Sequence, residues 1–120
     1  MLTAVDHVQP AAPAGSEERL RAYYTGALGM TEIPKPPALA ANGGCWFRAG
    51  AVQLHLGIEA GFRPARKAHP ELRVNDIEAY AERLAAHGAP VVWDDRLPGH
   101  RRFFSEDPVG NRLEFLEPRA

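Results

Sequence analysis

The chain has 120 residues, enough for one domain with a real hydrophobic core and too few for two independent ones. Its 14 Lys and Arg against 15 Asp and Glu leave a net charge of -1, so it lacks the basic surplus that holds a nucleic-acid backbone, and a small-molecule or protein partner is expected. A single cysteine, Cys45, excludes an internal disulfide framework. No charged start followed by a long apolar run marks a signal peptide or membrane span, so a cytoplasmic protein without membrane contact is expected.

Leu2 to Val8 is a short β-leaning run, ended by Pro10 to Gly15, a stretch expected neither to continue a strand nor to start a helix. Ser16 then stands as a helix cap. Glu17 and Glu18 suit the positive end of the helix dipole, and Leu20, Tyr23, Tyr24, Ala27 and Leu28 fall on one face before Gly29 stops it. Met30 to Ile33 reads as a strand and Pro34 to Asn42 as a proline-rich loop. Cys45 to Arg48 and Ala51 to Ile58 read as a hairpin turning at Ala49-Gly50.

After a linker, Glu59 to Arg66, the same order returns. Ala68 to Val74 is a strand, Asn75 with Glu78 makes a capping box, and Ile77, Tyr80, Ala81 and Leu84 line one helical face until Gly88. Val91 to Trp93, Arg102 to Ser105 and Arg112 to Leu116 supply three more strands. The last two are joined by Glu106-Asp107-Pro108-Val109-Gly110-Asn111, dense in turn formers. The fold class is therefore α+β. Two βαβββ modules, about residues 1–58 and 67–118, flank a linker at about 59–66 within one domain, and neither module buries enough surface to stand alone.

The two modules carry matching chemistry. Aligning Trp46-Phe47 with Phe103-Phe104, and Gln53-Leu54-His55-Leu56 with Arg112-Leu113-Glu114-Phe115, sets His55 against Glu114. His7 in Asp6-His7-Val8 likewise matches His69 in Ala68-His69-Pro70. Imidazole and carboxylate are common ligands of divalent transition metals, so four such residues at equivalent places point to a metal site on a pseudo-twofold. Taken singly, a strand histidine is more often a surface or hydrogen-bonded residue, and His55 reads equally well as an imidazole facing substrate. Glu114 has the sharpest case. Leu113 and Phe115 point to the opposite face, which aims its carboxylate at a surface where burial demands a partner.

The remaining candidates are weaker. His87 suits the carbonyls ending the second helix, and His100, in a Pro-Gly loop, is placed to face a substrate. Arg63, Arg66 and Lys67, with the pair Arg101-Arg102, offer anion contacts but read equally as solvated surface. Of the aromatic strand residues, Trp46 and Phe103 are expected in the substrate pocket with His100 and Arg102. Cys45 lacks an activating base and reads as a packed thiol.

The two βαβββ units, the paired histidines, Tyr23-Tyr24-Thr25-Gly26-Ala27-Leu28-Gly29 and above all Asp107-Pro108-Val109-Gly110-Asn111-Arg112-Leu113-Glu114-Phe115 resemble the vicinal oxygen chelate superfamily. That group includes glyoxalase I, extradiol ring-cleavage dioxygenases, fosfomycin-modifying enzymes and bleomycin resistance proteins. The resemblance spans nearly the whole chain and implies a curved mixed sheet. It also implies a divalent metal ion (Fe, Mn, Ni, Co or Zn) on His7, His55, His69 and Glu114, with His55 and Glu114 as catalytic groups. His55 stands where glyoxalase I calls for a glutamate, which weakens that activity. In short members the modules pair between two chains, so the resemblance implies a homodimer with His7 and His55 facing His69 and Glu114 of a partner. The implied function is a metal-dependent enzyme of glyoxalase or dioxygenase type, whose ion chelates adjacent substrate oxygens. The rivals are an extradiol dioxygenase specifically, carried by His7, His69 and Glu114, and a non-catalytic binding protein of the bleomycin-resistance kind.

Overall fold

The computed structural model describes all of residues 1–120, which fall into two units, Met1–Arg63 and Pro64–Ala120, each built on its own four-stranded sheet. The first unit runs β1 (Ala11–Ala12), α1 (Glu17–Arg21, continued by a π-helical stretch Ala22–Ala27), β2 (Thr31–Ile33), α2 (Pro37–Ala40), β3 (Cys45–Ala49) and β4 (Val52–Ile58). The second runs β5 (Glu71–Arg73), α3 (Ile77–Ala86), β6 (Val92–Asp94), β7 (His100–Glu106) and β8 (Arg112–Pro118). Their sheet orders correspond, β1-β4-β3-β2 and β5-β8-β7-β6. In each, the first strand pairs parallel with the last and every other pair is antiparallel. The repeated βαβββ order is thus realised, and no helix is long and apolar enough to cross a membrane.

Several local expectations need correction. Leu2 to Val8 forms no strand: pairing starts at an isolated bridge, Val8 to Leu54, and β1 lies at Ala11–Ala12, inside the stretch expected to be irregular. An edge strand needs partners on one side only. Pro10 has no N–H to give, yet its carbonyl accepts from Gly57 N–H at 3.0 Å, and the Ala12 carbonyl accepts from Glu59 N–H at 2.9 Å. Ser16 does precede the helix, but its hydroxyl donates to the Pro13 carbonyl at 2.6 Å and makes no cap hydrogen bond. Past Arg21 the helix widens: the Thr25 hydroxyl donates back to the Arg21 carbonyl, and Leu28 N–H reaches five residues back to Tyr23 at 2.9 Å. The wider turn still buries Tyr23, Tyr24 and Ala27, and Gly29, at φ 78°, ends the segment as expected.

The proline-rich loop holds the one-turn α2, with proline at its start where a missing N–H costs nothing. The first hairpin turns on Gly50-Ala51, one residue later than expected, because Ala49 pairs with Val52 and Gly50 takes the positive φ of 58° at the first turn position. In the second unit the cap of α3 is Asp76, whose side chain accepts from Ala79 N–H at 3.3 Å; Asn75 is not the cap. The Glu117 carboxylate of β8 accepts from Asp76 N–H at 2.8 Å and Ile77 N–H at 3.4 Å, tying the helix start to the sheet. Glu78, expected to close a capping box, instead pairs with Arg101.

Alternation along the strands sorts the two faces of each sheet. In the first unit Cys45, Phe47, Leu54 and Leu56 are buried toward α1, where Tyr24 stacks on Phe47 with ring centroids 5.0 Å apart. In the second, Phe103, Leu113 and Phe115 pack with Ile77, Ala81 and Leu84, and Tyr80 of α3 meets Phe115 at 5.3 Å. Each such fully buried side chain contributes about 1.5–3 kcal/mol of hydrophobic stabilisation. The β7–β8 turn is locked by Asp107, whose carboxylate accepts from Val109 N–H at 3.0 Å, Asn111 N–H at 2.8 Å and the Asn111 amide at 2.9 Å.

Candidate functional site

Backbone pairing fixes which residues are equivalent. His55 N–H donates to the Val8 carbonyl at 2.9 Å, and Glu114 N–H donates to the Pro70 carbonyl at 3.1 Å. Val8 follows His7 and Pro70 follows His69, so the same ladder position sets His7 beside His55 in one unit and His69 beside Glu114 in the other. All four residues occupy the sheet face away from the helix. The aromatic alignment shifts by one: Trp46 lies opposite His55 and Phe104 opposite Glu114, so Trp46 corresponds to Phe104, not to Phe103.

In the first unit three rings stack. His55 lies between Trp46 and His7, each with its ring centroid 4.0 Å away, at interplanar angles of 8° and 14°. The imidazole is buried, and its Nε2 faces the Gln53 amide oxygen at 2.9 Å. That oxygen is an acceptor, so Nε2 carries the hydrogen and Nδ1 carries the lone pair. Nδ1 is buried and has no partner at all. Burial, reinforced by the adjacent His7 ring and only partly opposed by Asp6, lowers the His55 pKa and keeps the ring neutral at pH 7. His7 is more exposed, and its Nδ1 meets the Asp6 carboxylate at 2.9 Å, the kind of outer hydrogen bond that leaves Nε2 to act as a ligand.

In the second unit His69 Nε2 stands 2.9 Å from Glu114 Oε1, and its Nδ1 stands 2.7 Å from the Lys67 carbonyl. A neutral imidazole has one N–H, yet both ring nitrogens face acceptors. One ring nitrogen therefore turns its lone pair toward an oxygen lone pair, an opposition that a cation between His69 and Glu114 would relieve. Glu114 is 1% exposed, and its other oxygen accepts from Arg102 Nη1 at 3.0 Å. Arg102 in turn donates through Nε to Asp94 at 3.0 Å, and Asp94 is also paired with Arg96. Burial raises the Glu114 pKa, but the hydrogen bonds from His69 and Arg102 outweigh it and hold the carboxyl below its usual range. The carboxylate is thus kept charged inside the protein. Glu71, opposite Glu114 across the parallel ladder, joins His69 and Glu114 in a group whose ligand atoms lie within 4.8 Å of one another.

The donor set suits a divalent transition metal on both counts: an orphaned imidazole lone pair in the first unit and an imidazole–carboxylate pair short of a proton in the second. Of the pocket candidates, Trp46 and Arg102 lie beside the histidine and carboxylate. Phe103 does not; it is fully buried on the helix-covered face against Phe115, centroids 5.2 Å apart, and its neighbour Phe104 takes the site position, 5.8 Å from His69. His100 opens β7 on the site face, held by the Pro98 carbonyl at 3.0 Å, and His87 bonds the Arg83 carbonyl at 2.9 Å as a helix end should. Burial pushes the Cys45 thiol up to about 11, in keeping with a packed residue. Sequence reasoning passed over Glu71 and Phe104; the alternation that put Glu114 on this face would have placed Phe104 there had the hairpin register been known.

A family described as glyoxalase-like domain matches residues 9–116 of the chain. A glyoxalase family protein from Bacillus anthracis is 44% identical, with 99% of this chain and 98% of that one covered and a TM-score of 0.96. Lactoylglutathione lyase from Agrobacterium tumefaciens shares the fold at 22% identity, covering 97% of this chain and 94% of that one with a TM-score of 0.69. TnmS3, an antibiotic binding protein of a Streptomyces species, does so at 22% identity over 98% and 100%, with a TM-score of 0.74. No curated protein sequence matches the chain.

Proposed function

Because the chain belongs to the glyoxalase-like domain family of the vicinal oxygen chelate superfamily, we propose that it is a small-molecule enzyme whose divalent metal ion is held by His7, His55, His69 and Glu114. The observation that carries this reading is the His69 ring, with acceptors 2.7 Å and 2.9 Å from its two nitrogens. A metal cation held by His69 and Glu114 would satisfy both lone pairs without the second N–H that a neutral imidazole lacks. The two halves of the set are each preformed within their own unit, and a homodimer joins His7 and His55 of one subunit to the second pair of its partner, giving two sites.

The chemistry such an ion supplies is Lewis acidity, chelating two adjacent substrate oxygens and stabilising the negative charge that develops as an enolate or oxyanion forms. The protein's own groups do the rest. Glu114 enters charged, with Arg102 fixing one oxygen and the other turned toward His69 Nε2. His55, neutral and with a free Nδ1 lone pair, is equipped to serve as a ligand or to accept a proton from substrate. Trp46 stacks on His55 and Phe104 meets His69 edge-on, so each half of the set has one aromatic wall.

One observation favours a second reading. The Arg102 guanidinium already neutralises Glu114, as it would in a protein that binds its ligand without metal chemistry, and TnmS3 shares the fold and is an antibiotic binding protein. A ring-cleavage dioxygenase is the third, since His7, His69 and Glu114 form the two-histidine, one-carboxylate set that suits ferrous iron. Reconstitution of metal-free protein with Fe, Mn, Ni, Co or Zn, followed by assays on thiol adducts of 2-oxoaldehydes and on catechols, separates them. Metal-dependent turnover supports the enzyme, and oxygen uptake with ferrous iron assigns the dioxygenase. Tight binding of an aromatic drug with no turnover under any metal refutes catalysis.

A further inference from the structure

Of the basic residues expected from sequence to collect an anion, Arg101 and Arg102 are already engaged. Arg101 pairs with Glu78 and lies over the Trp93 ring at 4.8 Å, and Arg102 is shared between Asp94 and Glu114. Arg112 is different. Its position on β8, two residues before Glu114, places it on the same sheet face, about 6–7 Å along the strand. Its guanidinium carbon lies 4.0 Å from the centroid of Phe104, the ring that also meets His69 at 5.8 Å, so the cation is held by an aromatic wall of the candidate site.

The guanidinium makes no ion pair. Glu106 stands directly across the ladder from Arg112, yet its carboxylate is exposed and not engaged by it. Arg66, Arg73 and Arg119 are exposed to solvent. Arg112 is half-buried, where an arginine normally finds a carboxylate, and it borders a hollow of about 180 Å³ shared with Val92, Phe104 and Glu106. Its planar fork of N–H donors is matched to a two-oxygen anion.

We propose that Arg112 is the anion receptor of the site, so that the substrate carries a carboxylate beside its chelating oxygens. The inference rests on the metal reading above and adds the substrate class to it. Phe104 holds the guanidinium in place before the ligand arrives, which lowers the ordering cost of a charge-assisted contact.

Matched ligands test this. Catechol presents vicinal oxygens alone; 2,3- and 3,4-dihydroxybenzoate add a carboxylate at two distances. Calorimetric titration of the metal-loaded protein should show one of the benzoates binding at least about 10-fold more tightly than catechol, the size of one charge-assisted contact. Arg112→Gln should abolish that preference with catechol affinity unchanged, and Arg112→Lys should restore part of it. Equal binding of all three ligands by the wild type, or a preference that survives in Arg112→Gln, overturns the anion receptor and leaves the metal reading standing. Failure of all three to bind metal-loaded protein overturns the anion receptor, and failure of the protein to take up metal at all overturns the metal reading.

Discussion

Replacing Arg102 with Met strips Glu114 of the cation on its Oε2 and leaves His69 as its only charged or polar side-chain partner. Arg102 Nη1 is 3.0 Å from Glu114 Oε2, and the two side chains are 16% and 2% exposed. Opposite charges about 4 Å apart at an effective dielectric constant near 20 attract by about 4 kcal/mol, and leaving a buried charge unpaired typically costs about 3–5 kcal/mol. His69 retains part of the compensation, so a loss of about 3 kcal/mol is expected for the metal-free protein at pH 7. In urea this lowers the midpoint by about 1.5 M, for a slope of about 2 kcal/mol per molar. The pH dependence identifies the cause. Glu114 has a lowered pKa in the folded protein, so its stabilisation is present above the ordinary carboxylate range and fades as pH falls through the lowered value. Without Arg102, burial raises that pKa, the carboxyl takes up a proton earlier, and the gap between variant and wild type narrows from pH 7 to about pH 4. Urea unfolding of both proteins at the two pH values measures this. A loss below about 1 kcal/mol at pH 7, or an equal loss at both pH values, refutes the claim that Arg102 sustains a buried charge.

Asp107→Ala leaves the Val109 and Asn111 N–H groups without the carboxylate that accepts from them, and a loss of about 2–4 kcal/mol is expected in chemical denaturation, with a near-wild-type result contradicting the role of this turn. His55→Gln should weaken metal binding less than His69→Ala or Glu114→Ala does, yet lose turnover on any substrate the wild type converts, with the acid limb of the rate profile altered. Full occupancy together with full activity would make His55 a packing residue. Mixing His7→Ala with Glu114→Ala chains should yield heterodimers in which one site of two has all its ligands, restoring about half the metal; no recovery in verified heterodimers would contradict the shared site.

The repeated βαβββ order was readable because strand and helix periods differ, and the pairing of His7 with His69 and of His55 with Glu114 was readable because each follows or precedes a strongly patterned strand. What escaped depends on partners remote in the chain. β1 exists because β4 supplies its ladder, although Pro10 argues locally against a strand. The start of α3 is held by Glu117, about forty positions away, so the local capping-box pattern at Asn75 misled. Phe104 rather than Phe103 takes the site face because the two hairpins have turns of different length, and a one-residue slip in a strand reverses the face of every side chain. The ring stack on His55 and the Arg102 bridge to Glu114 are cross-strand contacts, visible only once register is fixed.

The central claim is a metal ion on His7, His55, His69 and Glu114, and elemental analysis of protein purified without a histidine tag tests it most directly. The account predicts about one divalent ion per chain, taken up from Fe, Mn, Ni, Co or Zn and bound at distances of roughly 2.0–2.3 Å by nitrogen and carboxylate oxygen. That ion should be largely lost from His69→Ala and Glu114→Ala. A wild-type protein that is metal-free as isolated and binds none of the five on titration would contradict it, and would leave His69 as a hydrogen-bond partner of Glu114.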